Sequence, residues 1–157
     1  MICKPFKCIF VHIPKTAGRS VEMFFMNKLN LNRESQEDRE QLLIIDNDDP
    51  ARGTRKLSHL SAAEYVRCGH ISQVEFDDYF KFSFVRNPWS RLVSEYRYRA
   101  YLSHRSFKDF VMNKLPEPGW GDHYRHVMPQ TEMVCSDRKS TRLNSSHSSV
   151  SRMPSSA

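Results

Sequence analysis

Two stretches of this 157-residue chain constrain its fold more than anything else in it. They are Phe10-Val-His-Ile-Pro-Lys-Thr-Ala-Gly-Arg-Ser20 and Phe82-Ser-Phe-Val-Arg-Asn-Pro-Trp-Ser-Arg-Leu-Val-Ser-Glu-Tyr96. Each reads as a buried strand that runs into a tight loop and then a helix. A helix entered in this way presents unpaired backbone N–H groups and the positive end of its dipole, which together favour an anion. The first loop adds Lys15, Arg19 and Ser20, and the second adds Arg86, Ser90, Arg91 and Ser94. Two such sites in one small domain imply a ligand with phosphate-like groups at both ends.

The rest of the chain supports an alternation of strands and helices. Cys8 to Ile13 is a short run of β-branched and aromatic residues closed by Pro14, a buried strand. Val21 to Leu29 follows as a helix apolar on most sides. Asn30 to Glu40 is polar and reads as a helix end or exposed loop. Leu42 to Ile45 is expected as a second buried strand, and Asp46 to Lys56 as a loop. Ser61 and Glu64 form a capping box for a helix over Ala62 to Cys68, with Gly69 past its end. Phe80 to Val85 is a third strand. Asn87 caps the next helix with Pro88 at its first position. In that helix Trp89, Leu92, Val93 and Tyr96 are expected to form one apolar face, and Glu95 and Arg99 an i,i+4 pair. Ser106 begins a helix over Phe107 to Leu115, and Pro116 to Gly121 is a turn-rich loop. This alternation predicts an α/β, P-loop-like three-layer domain with a parallel sheet and flanking helices, incomplete at its C-terminal side.

The first loop has the shape of a nucleotide-triphosphatase loop without its letters. Such a loop places Lys directly before a Ser or Thr that binds magnesium. Here Lys15 precedes Gly18, and Arg19 stands before Ser20. No strand ends in a clear magnesium-binding Asp. That disfavours kinase or ATPase chemistry.

His12-Ile-Pro-Lys-Thr-Ala-Gly-Arg-Ser20 and Val85-Arg-Asn-Pro-Trp-Ser-Arg-Leu-Val-Ser-Glu-Tyr96 resemble, in order and in letters, two motifs of the carbohydrate-type sulfotransferases. These enzymes move a sulfuryl group from 3′-phosphoadenosine 5′-phosphosulfate to a sugar hydroxyl. The resemblance runs from about Cys8 to about Cys135. It implies that Lys15, Thr16, Ala17, Gly18, Arg19 and Ser20 bind the 5′-phosphosulfate, helped by backbone N–H groups from Gly18 to Val21. It implies that Arg86 and Ser94 bind the 3′-phosphate; Arg91 could equally pair with a carboxylate. It assigns Lys15 to the leaving oxygen and calls for no metal.

Sulfuryl transfer also needs a base for the acceptor hydroxyl, for which histidine is suited near neutral pH. The candidates are His12, His59, His70, His104, His123 and His126. His12 lies inside a strand and reads as structural. His59, between the two motifs and just before a helix cap, is the expected base; His70 is second. His126-Val-Met-Pro-Gln130 resembles an H-x-x-PQ segment near the family's acceptor side, which puts Tyr124, Arg125 and Gln130 near substrate. Two other function classes remain open: a nucleotide-dependent phosphotransferase with an aberrant loop, and an inactive binding fragment of this fold.

The end of the chain reads differently. Asp137-Arg-Lys-Ser-Thr-Arg-Leu-Asn-Ser-Ser-His147 matches the translation of a common short-read sequencing adapter, and Ser151 to Ala157 resembles its far end. The domain is therefore expected over residues 1–136, with 137–157 a disordered, artefactual tail. Half of the net charge of +6 belongs to that tail. The remainder suits a polyanionic ligand and gives no case for nucleic acid. The expected partner is a carbohydrate or other hydroxyl acceptor; oligomeric state is left open. Four cysteines, none in a C-x-x-C pair, do not fix a redox compartment. No apolar run is long enough to span a membrane. Both a Golgi lumen reached through a lost upstream anchor and the cytoplasm are compatible with the sequence.

Overall fold

In the computed structural model, which describes residues 1–99, 105–119 and 121–135, the apolar run after Lys7 is the middle of a three-stranded sheet. Strand β1 (Ile2–Cys3) pairs antiparallel with β2 (Cys8–Phe10), and β2 pairs parallel with β3 (Phe80–Phe82). The expected all-parallel sheet is therefore corrected: only β2 and β3 run parallel. The expected tail from Asp137 to Ala157, and His104, lie outside the described residues.

Alternate residues of β2 face opposite sides of the sheet, and each side has its own core. Cys8 and Phe10 pack with Met26 and Leu42, supported by Val21, Phe25 and Ile44. Ile9 and Val11 pack with Leu57, Leu60, Tyr65, Ile71 and Phe76. Helices α1 (Gly18–Lys28) and α2 (Gln36–Gln41) precede a loop with two short 3-10 turns, Pro50–Arg52 and Leu57–His59. Helices α3 (Ala62–Arg67) and α4 (Gln73–Asp78) follow. Both carry the reciprocal capping box, Ser61 with Glu64 and Ser72 with Glu75.

The expected strand at Leu42 to Ile45 is absent. Leu43 adopts a positive φ of 59°, and the amides of Leu43 and Ile44 turn back onto the carbonyls of Glu40 and Arg39. The segment is thus the C-terminal wrap of α2. Its apolar alternation is real, because Leu42 and Ile44 enter one core and Leu43 and Ile45 the other. No ladder accompanies it beyond an isolated bridge, Asp46 to Lys56.

Helix α5 (Pro88–Tyr98) starts where expected, with the Asn87 side chain accepting from the Ser90 N–H. The expected apolar face is met in part, with Tyr96 buried and Leu92 and Val93 half-buried, but polar residues are buried beside it. Arg91, Glu95 and Tyr96 are buried, whereas Trp89 is 69% exposed. Hydrogen bonding overrides hydrophobic periodicity here, because Arg91 and Glu95 each find several partners inside the domain. Helices α6 (Phe107–Asn113), α7 (Asp122–Val127) and α8 (Gln130–Val134) complete the described chain. No described helix is long and apolar enough to cross a membrane.

Candidate active site

The loop between β2 and α1 is held in place by its own side chains. Lys15 and Ala17 both take positive φ, 69° and 67°. Non-glycine residues pay for that conformation and keep it only where surrounding contacts fix it. The Thr16 hydroxyl is one such contact, donating to the Ile13 carbonyl at 2.7 Å. Thr16 is buried, so its hydroxyl serves the turn. The Ser20 N–H donates to the Ala17 carbonyl at 3.0 Å, while Arg19 and Ser20 are exposed. At Gly18 a Cβ would stand 2.1 Å from Nε2 of His12, so only glycine lets α1 begin over that ring.

The second motif is braced against the first. The Arg86 guanidinium donates to the Lys15 carbonyl at 3.3 Å, and Arg91 Nε donates to the Pro14 carbonyl at 2.9 Å. The remaining nitrogens of Arg91 donate to the carbonyls of Met128 and Arg125 at 2.7 and 3.2 Å. Arg91 is therefore a buried strut between three backbone segments, neither an open anion ligand nor a carboxylate partner. Arg86 is exposed and Ser94 half-buried on α5.

The loop opens onto a cleft of about 750 Å³ whose walls include His12, Lys15, Arg19, His59, Tyr98 and His126. The three histidines lie edge to face in a row. Ring centres are 5.0 Å apart for His12 and His59, and 5.3 Å apart for His59 and His126. Each is anchored through Nδ1 to a carboxylate: His12 to Glu22 at 2.6 Å, His59 to Asp122 at 2.8 Å, and His126 to Glu95 at 2.6 Å. Burial alone would push all three carboxyls up, but these hydrogen bonds and nearby cations outweigh it and hold them below their ordinary values. An ionised carboxylate only accepts, so each Nδ1 carries a proton.

Burial pushes His59 down to about 4, against the opposing pull of Asp122, and the ring is neutral at pH 7. Its Nε2 therefore carries a lone pair. His59 is among the cleft walls and Asp122 is not.

Arg99 ties the frame together, donating to Glu95 at 2.7 Å and to Asp122 Oδ2 at 3.1 Å. His59, Asp122 and His126 offer ligand atoms all within 4.8 Å of one another. Both Asp122 oxygens are engaged, however, Oδ1 by His59 and Oδ2 by Arg99.

Lys15 rests on an aromatic surface. Its Nζ lies 3.7 Å from the centre of the Tyr98 ring, which in turn stacks on His126 at 5.8 Å. Burial lowers the Lys15 ammonium from its ordinary value, as do Arg99 and Arg86, against the pull of Glu95. A cation so placed binds a developing negative charge more strongly than one fully in water.

Several sequence expectations land elsewhere. His70 hydrogen-bonds the Arg52 carbonyl at 2.7 Å and does not line the cleft. Arg125 is buried in a bidentate pair with Glu64, at 2.6 and 2.8 Å. Gln130 clamps the backbone of Arg86, accepting from its N–H at 2.9 Å and donating to its carbonyl at 2.8 Å. Asp122, Glu22 and Tyr98 were not legible as site residues. The one available signal was the Asp122–His126 spacing, which puts both on one face of a helix.

A family model described as the Sulfotransferase family matches residues 1–150. No curated protein and no solved structure matches the chain. Two strand–loop–helix motifs in one order, braced against each other through Arg86 and Arg91, agree with that match: the chain belongs to the sulfotransferase family, whose chemistry is sulfuryl transfer.

Proposed function

We propose that this protein is a sulfotransferase that uses 3′-phosphoadenosine 5′-phosphosulfate and delivers the sulfuryl group to a hydroxyl of a carbohydrate. The observation that carries the reading is the convergence of Lys15 and a neutral, carboxylate-anchored His59 on one cleft. The cores on both faces of the sheet support a P-loop-like three-layer arrangement for the binding domain.

The residues present fit such a donor. The cleft has the volume of a small-molecule site. Lys15, Gly18 and Arg19 all stand on the cleft wall. Lys15 to Ser20 would hold the 5′-phosphosulfate, and Arg86 with Ser94 the 3′-phosphate. When bound, the donor supplies an activated sulfuryl group on a phosphate leaving group. Lys15 Nζ stabilises negative charge on the leaving oxygen, an electrostatic role realised mainly in the transition state. His59 accepts the acceptor hydroxyl's proton at Nε2.

A ligand-dependent thermal shift tests the reading. 3′-Phosphoadenosine 5′-phosphate should raise the melting temperature much more than ATP. Arg86→Ala should abolish most of that difference, losing about 1.5–3 kcal/mol of a charge-assisted contact. Equal stabilisation by both nucleotides would refute a dedicated 3′-phosphate site. In turnover assays Lys15→Ala and His59→Ala should each be severely impaired yet folded.

A further inference from the structure

We propose that Asp122 is the positioning residue of the base, fixing the His59 ring as the Nδ1–H tautomer so that Nε2 meets the acceptor as a hydrogen-bond acceptor. This rests on the reading of His59 as the base. It assigns a role in the reaction to a carboxylate that neither loop motif contains.

The geometry separates the two oxygens of Asp122 by function. Oδ1 takes the His59 Nδ1–H at 2.8 Å. Oδ2 takes an N–H of Arg99 at 3.1 Å and lies 3.5 Å from His126 Nε2. Arg99 is itself fixed by Glu95 at 2.7 Å, and Glu95 holds His126 at 2.6 Å. Asp122 is thus held on its far side by Arg99, which Glu95 fixes in turn, and this opposes its rotation away from His59.

The alternative tautomer would present an N–H to the acceptor hydroxyl and could take no proton from it. Burial makes this choice consequential, because His59 is 6% exposed and solvent cannot correct its orientation. Once the hydroxyl proton moves to Nε2, the ring becomes an imidazolium next to the Asp122 carboxylate, which offsets the new charge. The proton stays on His59, and Asp122 remains ionised throughout.

The same frame makes a sharp variant possible. In Asp122→Asn the amide must still offer an oxygen to Arg99. Its nitrogen then faces His59 and donates to Nδ1, which drives the ring proton to Nε2. A positioned carboxylate replaced in this manner should cost about 10²–10⁴-fold in kcat, the range of a working base. The KM for donor should stay within about threefold, since Asp122 lies outside the cleft wall.

The test combines imidazole ¹⁵N NMR of the unliganded full chain with kinetics. In the unsubstituted chain at neutral pH, His59 should carry its proton on Nδ1; in Asp122→Asn it should carry it on Nε2, with kcat lost and KM retained. Asp122→Glu should restore both in part. An Nε2–H tautomer in the unsubstituted chain overturns the proposal without any variant. So does a normal kcat for Asp122→Asn alongside a dead His59→Ala, and that result leaves the base assignment standing. A His59→Ala variant that keeps turnover overturns the base assignment and this proposal together.

Discussion

The ring of His12 occupies the space that a side chain on Gly18 would need, with its Cδ2 atom 2.0 Å from where that Cβ would stand. The ring cannot retreat, because Glu22 holds its Nδ1 at 2.6 Å from the same helix. Gly18→Ala should therefore cost about 1–3 kcal/mol, the range for forced overpacking, and should weaken nucleotide binding at the loop. Chemical denaturation measures the first effect and nucleotide titration the second. The double variant with His12→Ala should be less unstable than the two single losses added together. Strict additivity would show that the ring and the glycine do not compete for one space.

Stability should fall with acid, beginning well above the carboxylate range. His59 titrates at about 4 in the folded chain, below its ordinary value of 6.5, so the unfolded chain takes up this proton first. The resulting loss accumulates as pH drops from about 6.5 to about 4 and amounts to about 3 kcal/mol over that window. Glu22, Glu64, Glu95 and Asp122 are also held below their ordinary values. Their contribution is full above those values and is lost as pH falls through the lowered ones, so it acts in the same direction. Melting temperatures between pH 7 and pH 4 check the sign. His59→Leu should flatten the upper part of the curve, and a wild-type curve that rises on acidification would contradict the neutral state of His59.

Arg125 and Glu64 join α7 to α3 across the domain, each side chain 5% exposed. Glu64 also caps its own helix by accepting from the Ser61 N–H at 2.8 Å. Glu64→Gln leaves a buried guanidinium without its countercharge and should cost about 3–5 kcal/mol. Replacing both partners, as Glu64→Leu with Arg125→Met, should cost less than that single change. Urea midpoints of the two variants decide it; the reverse order would mean that the ion pair itself is strongly favourable.

Gln130 should influence donor binding from a distance. Its amide makes both hydrogen bonds to the Arg86 backbone, as a neighbouring strand would. Gln130→Ala should cost only about 1 kcal/mol of stability, because water reaches the exposed Arg86 backbone in its place. Its main effect should be a raised KM for the donor with kcat near normal, read by steady-state kinetics. An unchanged KM would show that Arg86 needs no such support.

The strand–loop–helix order was legible because local chemistry fixed it: Asn87 and Pro88 open one helix, and Ser61 with Glu64 caps another, although β2 ends at Phe10, short of the expected Ile13. His59 was singled out from its place between the two motifs, and the structure puts it on the cleft wall. Its environment was not legible. Asp122 lies 63 residues away, and nothing in periodicity or spacing announces a hydrogen bond of that reach. Leu42 to Ile45 misled for a related reason, since alternation reports which side chains are buried and not whether a neighbouring strand exists. The burial of Arg91 and Glu95 beside the apolar face of α5 was not legible, because Arg91 and His126, which pairs with Glu95, find their partners across elements distant in sequence. What the sequence carried was local geometry, and what it hid was the pairing of charges between distant segments.

Arg91 grips the Pro14, Arg125 and Met128 carbonyls with a single guanidinium. The loop that carries Lys15 and the segment that carries Asp122 and His126 are thereby bolted to one plate. No hinge can operate between them without leaving three carbonyls and a buried charge unpaired. On the proposed function, the placement of Lys15 and His59 on one cleft is set when the chain folds, and binding energy need not be spent to assemble it at each turnover.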